Sequence, residues 1–301
     1  MAKAPYKYFD PTAAARLGKL NFVARTAVEG FITGLHKSPH HGFSVEFTDH
    51  REYAPGDDMR HLDWVALART DRYYIKRYEQ ETNLRCHLLL DVSGSMRYGS
   101  GPSSKFDYAC SLTALIAYLM ARQQDMVGMV AFDREIRRYL PPHSTPEHLD
   151  RLFNALEMVT PGPVTSISGT FHDLAEKIAR RGLIVVISDL YDDPREVMRA
   201  LRHFRHKKHQ VIVFHLFDPS ELDFDFNQLL TFVDLETREK LQIDPKLIRD
   251  DYRGLVQAFI AQYRRECADS AIEYVLTSTA TPYDQMLVSY LASRRRYRGG
   301  T

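Results

Sequence analysis

The chain has 301 residues, of which 44% are hydrophobic and 26% are charged, a composition typical of a globular protein with a sizeable core. The net charge of +1 creates no field that favours nucleic acid or an anionic membrane surface. The three cysteines lie far apart, which excludes a disulfide framework or zinc knuckle and indicates the reducing cytosol. No apolar run approaches the roughly 18 residues of a membrane span, and the N-terminus has no apolar signal core. We therefore expect a cytoplasmic protein with no membrane insertion and no nucleic-acid partner.

Residues 1–80 are predicted to form a small subdomain. One segment has helix-like apolar spacing, and two have the alternation or the aromatic and β-branched residues of strands: Phe22–Gly34, Phe43–Phe47 and Asp71–Gln80. So short a segment buries too little surface to be stable alone. We expect it to fold only against the rest of the chain.

The block PGDDMRHLDW, residues 55–64, lies between the two predicted strands of this subdomain. Its Pro-Gly pair favours a type II turn, and Asp57 or Asp58 is expected to cap a short helix. Trp64, the only tryptophan, is expected to anchor the subdomain and to be at least partly buried. A partner-binding surface is the alternative interpretation of this block.

From about Glu79 onward, short apolar strands alternate with amphipathic helices. The predicted strands are Cys86–Val92, Met126–Phe132, Leu183–Ser188, Val211–Phe217 and a strand around Glu273–Leu276. The predicted helices are one that closes near Gln124, one opened by Thr145 and Pro146, one that ends at Gly182, Pro194–Lys207, one containing Ile248 to Cys267, and one from Pro282.

The segment Phe232–Ile243 has the polar tip of a hairpin at a sheet edge. Strands that alternate with helices of this length form right-handed crossovers, and these build a largely parallel sheet covered on both faces. The predicted fold class is therefore α/β, a doubly wound, mostly parallel sheet over residues 81–301, with the small N-terminal subdomain at residues 1–80.

Asp91, Ser93 and Ser95 follow the first apolar strand of this domain, at the edge of the sheet where ligands bind in such folds. Their alternating positions place one carboxylate and two hydroxyls on the same side of a loop. These hard oxygen ligands suit Mg²⁺, with Mn²⁺ as a substitute. Asp189 ends another strand and Thr165 lies before that strand, so five residues together predict a metal site. Simple capping of the following helix is the alternative.

The order Asp-x-Ser-x-Ser, Thr and Asp resembles the metal-ion-dependent adhesion site (MIDAS) of von Willebrand factor A (VWA) domains. The stretch that runs into the Asp91 strand resembles the DUF58 family over FSVEFTDHREYAPGDDMRHLDWVALARTDRYYIKRYEQET, and PGDDMRHLDW is its most specific part. The resemblance extends over most of the chain, Ala24 to Leu291. Thr165 follows Pro163 and Val164 where the family usually has Gly-rich residues, so Thr170 is an alternative ligand. We prefer Thr165 because Thr170 would lie a full turn inside the helix.

The resemblance implies a binding, chaperone-like or assembly protein rather than an enzyme. A bound Mg²⁺ would offer a coordination position to an acidic side chain of a protein partner. DUF58 proteins are commonly encoded beside MoxR-type AAA+ ATPases, which makes such an ATPase the implied partner.

The alternative function is a Mg²⁺-dependent phosphohydrolase with Asp91 as nucleophile. That chemistry needs a second Asp two residues later as general acid, but the chain has Ser93 there, and a hydroxyl does not act as an acid near neutral pH. The sequence also contains no P-loop and no GxSxG motif. Turnover of a generic phosphoester is therefore expected to be absent.

Overall fold

The computed structural model describes residues 6–18, 45–53, 62–70, 72–80, 84–162, 167–235 and 239–298. The chain divides into two compact units, one within residues 32–83 and the other formed by the remaining segments. The first described helix, α1 (Pro11–Gly18), belongs to the larger unit, whereas the sequence prediction assigned residues 1–80 to one subdomain. The predicted helix Phe22–Gly34 lies outside the described residues.

The smaller unit contains β1 (Val45–Glu52), α2 (Trp64–Thr70) and β2 (Tyr74–Gln80). The two strands pair antiparallel, with Val45 opposite Gln80 and Glu52 opposite Tyr74. Helix α2 begins after Asp63, whose carboxylate accepts a 3.0 Å hydrogen bond from the Ala66 N–H.

Two predictions about the PGDDMRHLDW block have different outcomes. The expected caps Asp57 and Asp58 lie outside the described residues. Trp64 is 62% exposed, so the prediction that it is at least partly buried as an anchor is wrong.

The larger unit has a six-stranded sheet. Its strands are β3 (Arg85–Asp91), β4 (Met126–Phe132), β5 (Ile136–His143), β6 (Leu183–Ser188), β7 (Gln210–Phe217) and β10 (Glu273–Ser278), and a separate hairpin contains β8 (Leu230–Val233) and β9 (Lys240–Ile243). The sheet order is β10-β7-β6-β3-β4-β5, and all neighbours pair parallel except β4 and β5.

Helices cover both faces of this sheet. They are α3 (Lys105–Arg122), α4 (Pro146–Met158), α5 (Ile167–Lys177), α6 (Pro194–His206), the short α7 (Pro219–Asp223), α8 (Pro245–Asp269) and α9 (Tyr283–Arg298). Alternate residues of β3 belong to two different cores: Leu88 and Leu90 pack with α1, α3, α4 and α9, while Leu89 packs with α5, α6 and α8. The predicted doubly wound, mostly parallel α/β fold is confirmed.

Capping side chains explain where two of these helices begin. The Ser104 hydroxyl accepts a hydrogen bond from the Asp107 N–H, and the Asp107 carboxylate accepts one from the Ser104 N–H, which is a capping box at the start of α3. At α4, Thr145 caps the helix and Pro146 occupies its first turn, as predicted.

Three features of the larger unit differ from the sequence predictions. Strand β5 was not predicted, because it is an exposed edge strand with two arginines and two prolines and lacks an apolar run. The hairpin predicted at Phe232–Ile243 exists, but β8 and β9 form a sheet of their own and not an edge of the main sheet. Helix α5 ends at Lys177, before the predicted end at Gly182.

Candidate functional site

The candidate site lies at the carboxyl ends of two adjacent parallel strands, β3 and β6. Asp91 is the last residue of β3, and Asp189 directly follows β6. In the sheet, β3 lies between β4, the next strand along the chain, and β6. The connections that leave β3 and β6 therefore run in opposite directions across the sheet edge. The crevice between such diverging connections is where open α/β sheets bind ligands.

Asp91 is fully buried with both carboxylate oxygens engaged. Its Oδ1 accepts a 2.8 Å hydrogen bond from the Ser93 N–H, and its Oδ2 accepts a 2.5 Å hydrogen bond from the Ser188 hydroxyl. Burial, followed by the negative charge of Asp189, raises the pKa of Asp91 well above its ordinary value. Ionising both carboxyls is therefore costly unless a cation lies between or beside them.

The hydroxyls of Ser93 and Ser95 have the spacing of two metal ligands. Their Oγ atoms share a hydrogen bond of 3.0 Å, and Ser93 itself is fully buried beside Asp91. Neighbouring ligands of an octahedral Mg²⁺ with bonds of about 2.0–2.1 Å lie about 2.9–3.0 Å from each other. The donor set of one carboxylate and two hydroxyls at this spacing fits a small, hard divalent cation.

Asp189 is fully buried and pairs with a lysine that the sequence interpretation did not include. Lys105 Nζ lies 2.8 Å from Asp189 Oδ2 and 2.7 Å from Glu221 Oε1, and its side chain has no exposed surface. Burial alone would lower the pKa of Lys105, but its attraction to Asp189 and Glu221 outweighs burial and raises that pKa. Lys105 therefore carries its charge at neutral pH.

The backbone after β6 is fixed tightly around Asp189. Leu190 has a φ of 53°, in the left-handed region that is unfavourable for a branched side chain. The His215 Nε2–H donates to the Asp189 carbonyl oxygen at 2.8 Å, and the Tyr263 hydroxyl donates to the Leu190 carbonyl oxygen at 3.3 Å. Burial lowers the pKa of His215 to about 4, so its ring is neutral and keeps this donor role across the physiological range.

The two threonines considered as ligands have different outcomes. Thr165 lies outside the described residues, so its role stays a prediction. Thr170 is the fourth residue of α5 and is 3% exposed, and its hydroxyl donates to the Asp133 carbonyl oxygen at 3.1 Å. The structure thus brings Asp91, Ser93, Ser95 and Asp189 to one edge of the sheet and gives the Thr170 hydroxyl a different partner.

Two site neighbours were missed by the sequence interpretation. Ser188 precedes Asp189 at the end of the apolar strand β6. Side chains alternate between the two faces of a strand, and this alternation was the available signal that the Ser188 side chain lies on the same side as Asp91. Lys105 begins a helix 84 positions before Asp189, and that long-range pairing leaves no pattern in the sequence.

The loop that leads towards Thr165 contains a position where only glycine fits. The Gly162 N–H donates to the Val92 carbonyl oxygen at 2.6 Å, and a Cβ on Gly162 would collide with Asp133 Oδ2, which pairs with Arg137. We expect Gly162→Ala to lower the free energy of unfolding by about 1–3 kcal/mol, since the buried Asp133 must move.

Chemical denaturation of the Gly162→Ala protein tests this expectation. Gly101→Ala is the matched control, because a Cβ on Gly101 has no neighbour within 4 Å, and its effect should stay within about 0.5 kcal/mol. Equal stability of the two variants would contradict the close approach between this loop and Asp133.

The described residues contain neither a cluster of His, Cys, Asp and Glu side chains suited to a metal ion nor a membrane-spanning helix. Among the described residues, no group of three or more His, Cys, Asp or Glu side chains is placed to hold a metal ion. The site above differs in kind, because two of its donors are serine hydroxyls. No helix that the structure describes is both long and apolar enough to cross a membrane.

Comparisons with known proteins bear on family membership. The uncharacterized protein Rv1480 of Mycobacterium tuberculosis and the uncharacterized protein Mb1516 of Mycobacterium bovis are each 27% identical to this chain over 296 residues, covering 95% of this chain and 91% of the relative. Among solved structures, BatB from Bacteroides thetaiotaomicron covers 71% of this chain and 99% of its own with a TM-score of 0.47 and 16% identity. The SpRpn10 VWA domain covers 69% of this chain and 95% of its own with a TM-score of 0.41 and 9% identity.

The family comparison covers most of the chain. Residues 49–261 match the family described as "Protein of unknown function DUF58". The matched range includes β2, the Asp91 strand and the Asp189 strand, and so contains every residue of the candidate site. This chain belongs to the DUF58 family.

Proposed function

We propose that this protein is a non-enzymatic, Mg²⁺-dependent protein-binding module. The residues that would hold the metal are Asp91, Ser93, Ser95, Thr165 and Asp189. The observation that supports this proposal most strongly is the 3.0 Å spacing of the Ser93 and Ser95 hydroxyls beside the buried Asp91 carboxylate. Mn²⁺ would occupy the same position.

The chain's own residues have separate roles in this proposal. The Ser93 and Ser95 hydroxyls bind directly, while Asp91, Thr165 and Asp189 bind directly or through waters. When bound, the metal would supply positive charge and a coordination position that a partner's carboxylate can fill. The ion alone does not select a partner, so specificity comes from the loops around the site.

The partner and the location belong to the same proposal. A MoxR-type AAA+ ATPase is the candidate partner that DUF58 membership suggests. A cytoplasmic location accords with Cys86, Cys110 and Cys267, which are all free and buried.

A phosphohydrolase reaction at Asp91 lacks the general acid that it needs. The residue two positions after Asp91 is Ser93, whose hydroxyl does not act as an acid near neutral pH. We expect no hydrolysis of p-nitrophenyl phosphate with or without Mg²⁺. Turnover that is lost in Asp91→Ala would establish the enzyme instead.

A pull-down compared between Mg²⁺ and a chelator tests the binding function. Wild-type protein should retain a partner in Mg²⁺ and release it in chelator, and Asp91→Ala should retain little in either condition. Mass analysis of the captured proteins identifies the partner. Capture of the same proteins by wild type in chelator and by Asp91→Ala would refute a metal-dependent module.

The choice between Thr165 and Thr170 gives a second test. We expect Thr165→Ala to weaken Mg²⁺ binding much more than Thr170→Ala, because the Thr170 hydroxyl already donates to the Asp133 carbonyl. Titration calorimetry of both variants measures the ranking. The reverse ranking would assign the ligand to Thr170 and require α5 to be displaced.

A further inference from the structure

A buried ammonium group lies next to one of the predicted metal ligands. Lys105 Nζ contacts both Asp189 Oδ2 and Glu221 Oε1, and neither Lys105 nor Asp189 has exposed side-chain surface. The ring centroids of Tyr191 and Tyr98 lie 4.8 Å and 5.9 Å from Lys105 Nζ. Two carboxyls and two aromatic faces therefore hold one fixed positive charge at this edge of the sheet.

The elements that hold Lys105 fix its position independently of any metal. Lys105 is the first residue of α3, directly after the Ser104 capping box. Glu221 is tied down as well, because its Oε2 accepts a 2.8 Å hydrogen bond from the Asp218 N–H at the start of α7. The ammonium thus cannot move far from Asp189 without breaking contacts in both helices.

This charge opposes a second cation in the same place. A divalent ion bound to Asp91, Ser93 and Ser95 would be repelled by Lys105 and would compete with it for the Asp189 carboxylate. Repulsion between charges a few ångströms apart is strong wherever water is excluded, as it is around Asp91 and Asp189. An extra carboxylate at the metal would offset that repulsion.

We propose that Lys105 is a resident counter-cation that keeps the affinity of this site for a divalent metal low, so that metal and the partner's carboxylate bind together. The inference rests on the proposed function and deepens it, since it assigns a regulating residue to the same site. Metal loading would then depend on the partner and not only on the metal concentration.

Calorimetric titration of Mg²⁺ into the full-length chain and its variants tests the proposal. Lys105→Met should bind Mg²⁺ at least about tenfold more tightly than the wild type. The reason is that the repulsion between a unit positive charge and the metal ion a few ångströms away exceeds the free energy of a tenfold change in affinity. Lys105→Arg keeps the charge and should restore weak binding. Lys207→Met is the matched control, because it removes a partly exposed lysine paired with Glu176, and it should leave the affinity within about twofold.

If Lys105→Met does not fold, Lys105→Gln answers the same question, because its amide can still donate hydrogen bonds to the two carboxyls. If the uncharged variant that folds binds Mg²⁺ no more tightly than the wild type, the Lys105 proposal is overturned. Binding of Mg²⁺ by the wild type in the same experiment would leave the proposed function intact. Binding by that variant but not by wild type would support the Lys105 proposal, and the pull-down in Mg²⁺ and in chelator then decides whether the native protein binds its partner through the metal. No binding by any variant would overturn both.

Discussion

Replacing Lys105 by methionine is expected to lower the free energy of unfolding of the metal-free protein by about 3–5 kcal/mol, the range for removing one partner of a buried ion pair. The physical reason is that Asp189, with no exposed surface, and Glu221, with little, would lose the positive charge that compensates their burial. Chemical denaturation in the presence of a chelator measures the change.

The control for this prediction is an ion pair of the same type on the surface. Lys207 lies 2.8 Å from Glu176, with 28% and 60% of the two side chains exposed, so Lys207→Met should cost about 0–1 kcal/mol. Similar small losses in both lysine variants would show that Lys105 is not a structural counter-charge and would contradict the site described above.

Replacing Asp218 by alanine is expected to lower the free energy of unfolding by about 2–3 kcal/mol, because it removes a helix cap and several hydrogen bonds together. Asp218 is 1% exposed and caps α7. Its carboxylate accepts hydrogen bonds from the N–H and hydroxyl of Ser100, at 2.9 and 2.5 Å, and from the N–H and hydroxyl of Ser220, at 2.9 and 2.6 Å. It therefore ties the loop after Ser95 to the end of β7.

The same carboxylate predicts an acid limit to this stabilisation. Burial opposes ionisation of Asp218, but the hydrogen bonds from Ser100 and Ser220 outweigh it and lower its pKa. A carboxyl with a lowered pKa in the folded state stabilises the fold above its ordinary pKa of about 4, and the contribution is lost as the pH falls towards the folded-state value. The difference in Tm between wild type and Asp218→Asn should be constant above about pH 5 and shrink below about pH 4. A difference that grows in acid would contradict the assigned hydrogen bonds.

The strands that carry the site could be predicted because they are buried on both faces. β3, β4, β6 and β7 are nearly continuous apolar runs, and a parallel strand covered by helices on both sides requires that pattern. Asp91 and Asp189 then stand out as polar residues where two of these runs end. Their positions at the same edge of the sheet follow from the parallel direction alone.

Other features could not be predicted because tertiary contacts decide them. β5 is stabilised by pairing with β4 at the sheet edge, where arginine and proline are tolerated, so it has no apolar signature. In the sequence, nothing distinguishes Lys105 from other polar residues at the start of a helix, because only the folded chain places Asp189 beside it. Trp64 shows the opposite error, since its large apolar surface predicted burial and the residue is 62% exposed.

The measurement that tests the central claim most directly is calorimetric titration of Mg²⁺ into wild-type protein and into Asp91→Ala. We expect one site per chain in the wild type and no detectable binding in Asp91→Ala. Asp91→Ala removes the hydrogen bonds from Ser93 and Ser188 but no apolar core side chain, so the far-UV circular dichroism of the two should be the same under conditions where both are folded. Unchanged Mg²⁺ binding in a folded Asp91→Ala protein, or no binding by the wild type and by Lys105→Met alike, would contradict the predicted site.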